Sequence, residues 1–260
     1  MKNQPPPQPS QELTWWKIGT VIFAMLFIIT LGTFLLASQQ QNKITGQTTK
    51  KEISEVTIDD DPSLGDEDSS VTMIEFSDFQ CPSCKQFWSE TFPLIKQHYI
   101  ATGKVRFVFR DFPMKEFGHV WSMKAAEAAE CANNQGKFWE MQDKIFNDQH
   151  VLNSLVREVQ HPEEAQLLVT LAQNGKTIYV DIAPAVEHLK LLAAQIHLNT
   201  ATLNECLDAG KEIHEVEKDK ADAEKAGVTG TPTFFINGEK IPGSLPLDAY
   251  QKIIERELFK

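Results

Sequence analysis

Cys81 and Cys84 are separated by Pro82 and Ser83, a spacing that brings two sulfurs within bonding range across one helical turn. The preceding residues Val71 to Phe76 (V-T-M-I-E-F) read as a strand, being β-branched and aromatic. A helical pattern begins at Pro82 and runs to about Tyr99. The cysteine pair therefore sits at a helix start, where free amide groups and the positive end of the helix dipole favour a thiolate. Cys81 is the expected attacking sulfur, with a lowered pKa. Cys84, deeper in the helix, would resolve a mixed disulfide formed at Cys81. Pro82 suits the first turn because its missing N–H would have had no partner there. Two other uses of such a pair stay open at this point: half of a zinc site, and a purely structural disulfide.

Zinc would want a second pair or nearby histidines. The other cysteines, Cys131 and Cys206, are isolated, and no histidine lies close to Cys84 in sequence. His119, His150, His161, His188, His197 and His214 are scattered and read as surface or capping residues. Cys131 and Cys206 are compatible with a disulfide or with two buried thiols. A second feature is Gly230-Thr231-Pro232-Thr233. A proline there is either a plain strand start or a cis proline.

The elements that must position these residues follow from periodicity. Val105–Phe109 (V-R-F-V-F) is a second strand, so strand, helix and strand form a βαβ unit with parallel pairing and a right-handed crossover. Helical patterns follow over Val120–Asn133, Phe138–Asn147, Pro162–Gln173, Pro184–Leu198, Thr202–Ala209 and Glu212–Ala226. Thr233–Ile236 and Glu239–Ile241 flank Asn237-Gly238, a strong two-residue hairpin signal. A last helix carries Leu247, Tyr250, Ile254 and Leu258 on one face. In the helix after Cys84, Phe87, Leu94 and Ile95 are expected to share the buried stripe.

The chain has 260 residues and a net charge of −11, which argues against a nucleic-acid partner. Residues 1–17 form a polar, proline-rich tail, expected to be cytoplasmic. Ile18 to Leu36 run without a charge, about the length a helix needs to cross a bilayer. Trp15 and Trp16 stand at one end, where interfacial tryptophans are favoured. Lys2 and Lys17 before the span favour the N-terminus inside. Residues 18–36 are thus expected to be an uncleaved single-pass anchor in the cell membrane, with the remainder in the extracytoplasmic space, where disulfides persist. Residues 37–56 read as a linker. The acidic run of Glu52, Glu55, Asp59, Asp60, Asp61, Asp66, Glu67 and Asp68 reads as a solvated segment.

The strand, the C-P-S-C at a helix start and T-P-T-F-F-I-N-G near the C-terminus together resemble the thioredoxin superfamily. The long helical stretch between the two halves resembles its DsbA-like branch. A-A-E-A-A-E-C-A-N-N-Q-G-K-F-W-E-M and L-N-E-C-L-D-A-G are similar to membrane-anchored or secreted bacterial members of that branch. The resemblance covers about residues 57–260. It implies an α/β thioredoxin fold, with its first half at 57–117, a helical insertion at 118–226 and its second half at 227–260. It also implies that Cys81 is the nucleophile and Cys84 the buried resolving cysteine. Thr231 and Pro232 would form a cis-proline loop facing the pair and offering main-chain hydrogen bonds to a substrate strand. Glu75 would be a buried acid beneath the pair, able to accept the Cys84 proton; its alternative is an exposed strand glutamate. Cys131 and Cys206 would pair with each other. Two features depart from the branch. Residues 148–183 are longer, with an added helical pattern and K-T-I-Y-V, and Pro82-Ser83 differs from the Pro-His of strongly oxidising members.

The expected activity is protein thiol–disulfide exchange, oxidising cysteines of exported proteins, with no metal or organic cofactor. A membrane redox partner would reoxidise the pair. Two rivals remain: a reductase or isomerase fed by a membrane electron donor, and a binding or chaperone-like module whose disulfide is only structural.

Overall fold

The computed structural model describes Val56 and residues 58–260. The tail, the apolar span at 18–36 and the linker up to residue 55 lie outside the described residues. Among the described residues, no helix is long and apolar enough to cross a membrane.

A five-stranded sheet carries the redox residues, in the order β1 (Ser63–Leu64), β3 (Val105–Asp111), β2 (Val71–Ser77), β7 (Thr233–Ile236) and β8 (Glu239–Pro242). β2 and β3 pair in parallel, as the βαβ spacing requires, and β7 runs antiparallel to β2. The β7–β8 hairpin turns at Asn237 and Gly238, both at positive φ. β1 was not foreseen. It is two residues long and hydrogen-bonds to the outer edge of β3. Gly65 follows it at positive φ, and a Cβ there would lie 2.4 Å from the Val105 carbonyl, so only glycine fits.

The helix after Cys81 is continuous but uneven. α1 (Pro82–Gln86) opens into a wider π turn over Phe87–Thr91, tightens as α2 (Phe92–Ile95) and widens again over Lys96–Ile100. Pro93 gives a reason for the first widening: it has no N–H, and the Phe92 amide bonds back to Phe87 instead. The shift in phase corrects the expected stripe. Phe87 and Ile95 are buried, but Leu94 is exposed.

The sheet is covered on both faces. α1, α2 and α9 (Leu247–Leu258) lie on one, where Phe87, Phe234 and Tyr250 pack ring against ring. α8 (Ile213–Lys225) covers the other, with Ala223 among Ile74, Phe76, Val108 and Phe235. α3 (Ser122–Asn133), α4 (Phe138–Asn147), α5 (Gln149–Ser154), α6 (Ala183–Gln195) and α7 (Thr200–Asp208) make the inserted helices. Cys131 on α3 is bonded to Cys206 on α7, 75 residues apart in sequence. Closing a loop of that length restricts the unfolded chain by about 4 kcal/mol in the chain-entropy account.

Two further expectations are overturned. The stretch Pro162–Gln173 is not a helix: Pro162–Glu164 makes one 3₁₀ turn and Leu168–Gln173 is strand β5. It pairs antiparallel with β6 (Lys176–Asp181), which also pairs with β4 (Arg157–Val159). The extended region is therefore a small three-stranded sheet set among the inserted helices. Its hairpin turns at Asn174-Gly175, both at positive φ, the same signal that marks β7–β8.

The acidic run is not wholly solvated either. Arg110, at the end of β3, is buried, and it lies within ion-pair range of Asp61, Asp219, Asp222 and Asp59. Burial pushes the Asp61 carboxyl up, and it shares a proton with Asp59, which is held low chiefly by that hydrogen bond. Lys218 closes over Asp59 and Asp60. A buried guanidinium needs such partners, because removing it from water unpaired costs several kcal/mol.

The reverse also holds. Arg110→Met should destabilise the protein by about 3–5 kcal/mol at pH 7.5, since it strands buried carboxylates. The loss should shrink near pH 5, where Asp219, raised to about 6 mainly by burial, takes up a proton. Urea unfolding at the two pH values checks both parts.

Candidate redox site

The site is built where β2 ends and α1 begins. Cys81 is the N-cap of α1, in extended backbone, and Pro82 is the first helical residue. Cys84 follows one turn in and is fully buried; Cys81 is 6 % exposed, and both are free thiols. The Cys81 sulfur lies 3.4 Å from the Thr231 carbonyl, to which it donates when protonated. The Thr231–Pro232 bond is cis, so the loop before β7 faces the pair. Thr231 is tied in turn to Met114 Sδ, at 3.4 Å from its hydroxyl.

The two sulfurs have opposite electrostatic surroundings. Cys81 is lowered to about 6, first by the Cys84 thiol donating to it, against burial, and then by Thr231 and the amides of Cys84 and Ser83. Cys84 is pushed well above the usual thiol range by burial, by holding that proton for Cys81, and by the charges of Cys81 and Glu75. One proton thus sits on the inner sulfur and leaves the outer one negative.

Glu75 is 1 % exposed. Strand alternation turns it toward the α1 face together with Val71 and Met73. In register it lies between Phe109 on β3 and Phe234 on β7. Burial among these raises its carboxyl to about 8, with the Cys81 charge adding to the rise. An exposed strand glutamate is excluded.

Several residues that hold the loop carry no motif. Asp78 accepts Gln80 N–H and Met114 N–H, both at 2.6 Å, and lies 2.9 Å from His119 Nδ1. Gln149 of α5, buried, donates to the carbonyls of Phe79 at 2.8 Å and Cys81 at 3.1 Å. Gln80 reaches Asn153, which also accepts Trp121 Nε1. His119 is therefore not a surface histidine, and His188 too is engaged, with Asp148. Only the nearness of Asp78 and Gln80 to Cys81 in sequence could have flagged the first two. Gln149 is almost 70 residues away and had no signal. Cys131 and Cys206 lie in the inserted helices, apart from this site.

Two sulfurs so placed can exchange a disulfide: an accessible thiolate to attack, and a protonated neighbour to resolve. Among the described residues, neither Cys81 nor Cys84 belongs to a cluster of three or more groups able to hold a metal ion.

The family model described as Thioredoxin matches residues 57–256. The Bacillus subtilis disulfide bond formation protein D is 30% identical over 197 residues, covering 76% of this chain and 77% of that protein. The solved oxidised structure of BdbD from Bacillus subtilis is similar at 30% identity and a TM-score of 0.59, over 77% of this chain and 94% of that one. That of alpha-DsbA1 from Wolbachia pipientis is similar at 25% identity and a TM-score of 0.60, over 78% and 93%.

Two measurements test the site's chemistry. In the reduced protein at pH 7, iodoacetamide should label Cys81 and leave Cys84 untouched until the protein unfolds, with a midpoint for Cys81 near pH 6. Glu75 titrates near 4.5 when unfolded and about 8 when folded. Between those values the folded state keeps a proton that the unfolded state has lost, so its stabilising effect fades as pH rises toward 8. Glu75→Gln should flatten that decline by up to about 1.4 kcal/mol per pH unit, read by urea unfolding of the reduced protein from pH 5 to 8.

Proposed function

Because the chain belongs to the thioredoxin superfamily, in its DsbA-like branch, and is a protein disulfide oxidoreductase, we propose that it donates disulfides to exported proteins through Cys81. The observation that carries the reading is the Cys81 thiolate. A pair whose outer sulfur is lowered to about 6 is stable when reduced, and a stable reduced form makes the disulfide a strong oxidant.

A substrate thiolate attacks Cys81 of the Cys81–Cys84 disulfide, and Cys84 leaves with the electron pair. Glu75, protonated near neutral pH, is the acid that supplies Cys84 with its proton. A second substrate thiolate then attacks the substrate sulfur in the mixed disulfide and releases the Cys81 thiolate. Two electrons pass from substrate to the pair, and a membrane quinone-linked partner removes them. Thr231 and Pro232 hold the substrate strand by main-chain hydrogen bonds, while Pro82 and Ser83 set the spacing. The Cys131–Cys206 bond is structural. Residues 18–36 anchor the chain, 37–56 link it, and the halves at 57–117 and 227–260, with the insertion at 118–226, lie outside the cytoplasm.

Equilibration with glutathione buffers tests the direction. The potential should lie well above the roughly −270 mV of a reducing thioredoxin; a value near that would move the reading to a reductase, and absence of exchange would leave a binding module. Cys84→Ser should accumulate a mixed disulfide at Cys81, visible on a non-reducing gel, and Cys81→Ser should form none.

A further inference from the structure

Asp78 presents the pair with an electrostatic problem. It is 1 % exposed and stands three residues before Cys81, whose amide donates to its carbonyl at 3.0 Å. Its carboxylate is fixed there by the Gln80 and Met114 amides. A negative charge three residues away, buried and so poorly screened, works against a thiolate on Cys81. Pro82 and Ser83 carry no charge to offset it.

His119 is the group that meets Asp78, 2.9 Å from its carboxylate, from the loop after β3. Burial works against a charged ring, but the hydrogen bond and charge of Asp78 outweigh it, and the negative Cys81 sulfur and Glu116 add to the rise. His119 also lines a cavity, which Asp78 does not, and the other charges there are Lys115, the pair Glu116–Lys220 and the pair Glu127–Lys124. Each acid there has its own lysine, and β5 contributes only uncharged residues. Beyond the cavity, Cys81 itself acts on His119, and Asp78 acts on buried Asp111, whose carboxyl is pushed up chiefly by burial; among these groups His119 is the cation that can lose its charge near neutral pH.

We propose that His119 is a positioning residue for disulfide exchange: its imidazolium neutralises Asp78 and so adds to the hydrogen bonds of Cys84 and the helix-start amides in favouring the thiolate form of Cys81. As pH rises and the ring loses its proton, Asp78 faces Cys81 uncompensated. The outer sulfur then holds its own proton more readily, and the disulfide becomes a weaker oxidant. This rests on Cys81 being the exchanging sulfur.

The test is the pH titration of Cys81 in the reduced full chain, by alkylation rate, in His119→Gln, His119→Asn, His119→Lys and the double variant Asp78→Asn with His119→Gln. Near-ultraviolet circular dichroism confirms that each is folded. Either uncharged variant should raise the Cys81 midpoint by about one pH unit, roughly a tenfold loss of thiolate at pH 5. His119→Lys should keep the wild-type midpoint, and the double variant should restore it. Folded uncharged variants with an unshifted midpoint would overturn the inference, as would a lysine variant shifted as far as the glutamine one. If those proteins still exchange disulfides at Cys81, only the role of His119 fails; if the wild type exchanges none, the functional reading fails with it.

Discussion

A single proton is divided unequally between two sulfurs, and most of the site can be understood as keeping it where it is. Left in water, two thiols with similar affinities would share it evenly. Here Cys84 is sealed beneath α1, where a negative charge is costly, and Cys81 caps the same helix, where a negative charge is welcome. The Thr231 carbonyl and the cis peptide after it fix the outer sulfur from across the sheet. Glu75 sits beneath with a raised affinity for protons. None of these groups could act without the β2–α1 junction, because the strand end and the helix start bring the dipole, the sulfurs and the acid to one point.

The inserted region then serves the loop as well as the core. Gln149, Asn153 and Trp121 reach back to the residues around Cys81. The inserted helices therefore brace the backbone that carries the sulfur. The disulfide between α3 and α7 ties two of the inserted helices together. A domain that looks, by its placement, like a decoration on the sheet is part of what holds the reactive geometry.

Much of this was legible in the sequence, and the gaps have physical causes. The βαβ unit, the cysteine pair at a helix start and the Asn237-Gly238 hairpin are local patterns, and they appear where periodicity put them. The small sheet was missed because Pro162 with two acids after it imitates a helix start, and that reading overrode a second Asn-Gly at 174–175. Alternation through Val169 and Leu171, half-buried between exposed neighbours, was the better guide. Arg110 and its carboxylates could not be read at all. A charged residue in a strand and an acidic run some fifty residues away look solvated until the fold closes them together. The same holds for His119 and Gln149, whose partners are distant in the chain. Position along the sequence reveals chemistry that is local; it is silent on chemistry assembled by packing.

The Arg110 cluster has one more consequence, a mechanical one. Asp59, Asp60 and Asp61 are gripped by Arg110 and Lys218, and β1 is laced to the outer edge of β3 just after them. Tension along the chain here passes through Val56 and Ile58, packed on the sheet, and these ion pairs into β3 and α8. The reactive junction leaves the same end of the neighbouring strand, where Phe76 and Ser77 pair with Arg110 and Asp111. Where the polypeptide enters the fold it is clamped rather than hinged, and the clamp grips the strand end beside the one that carries the two sulfurs.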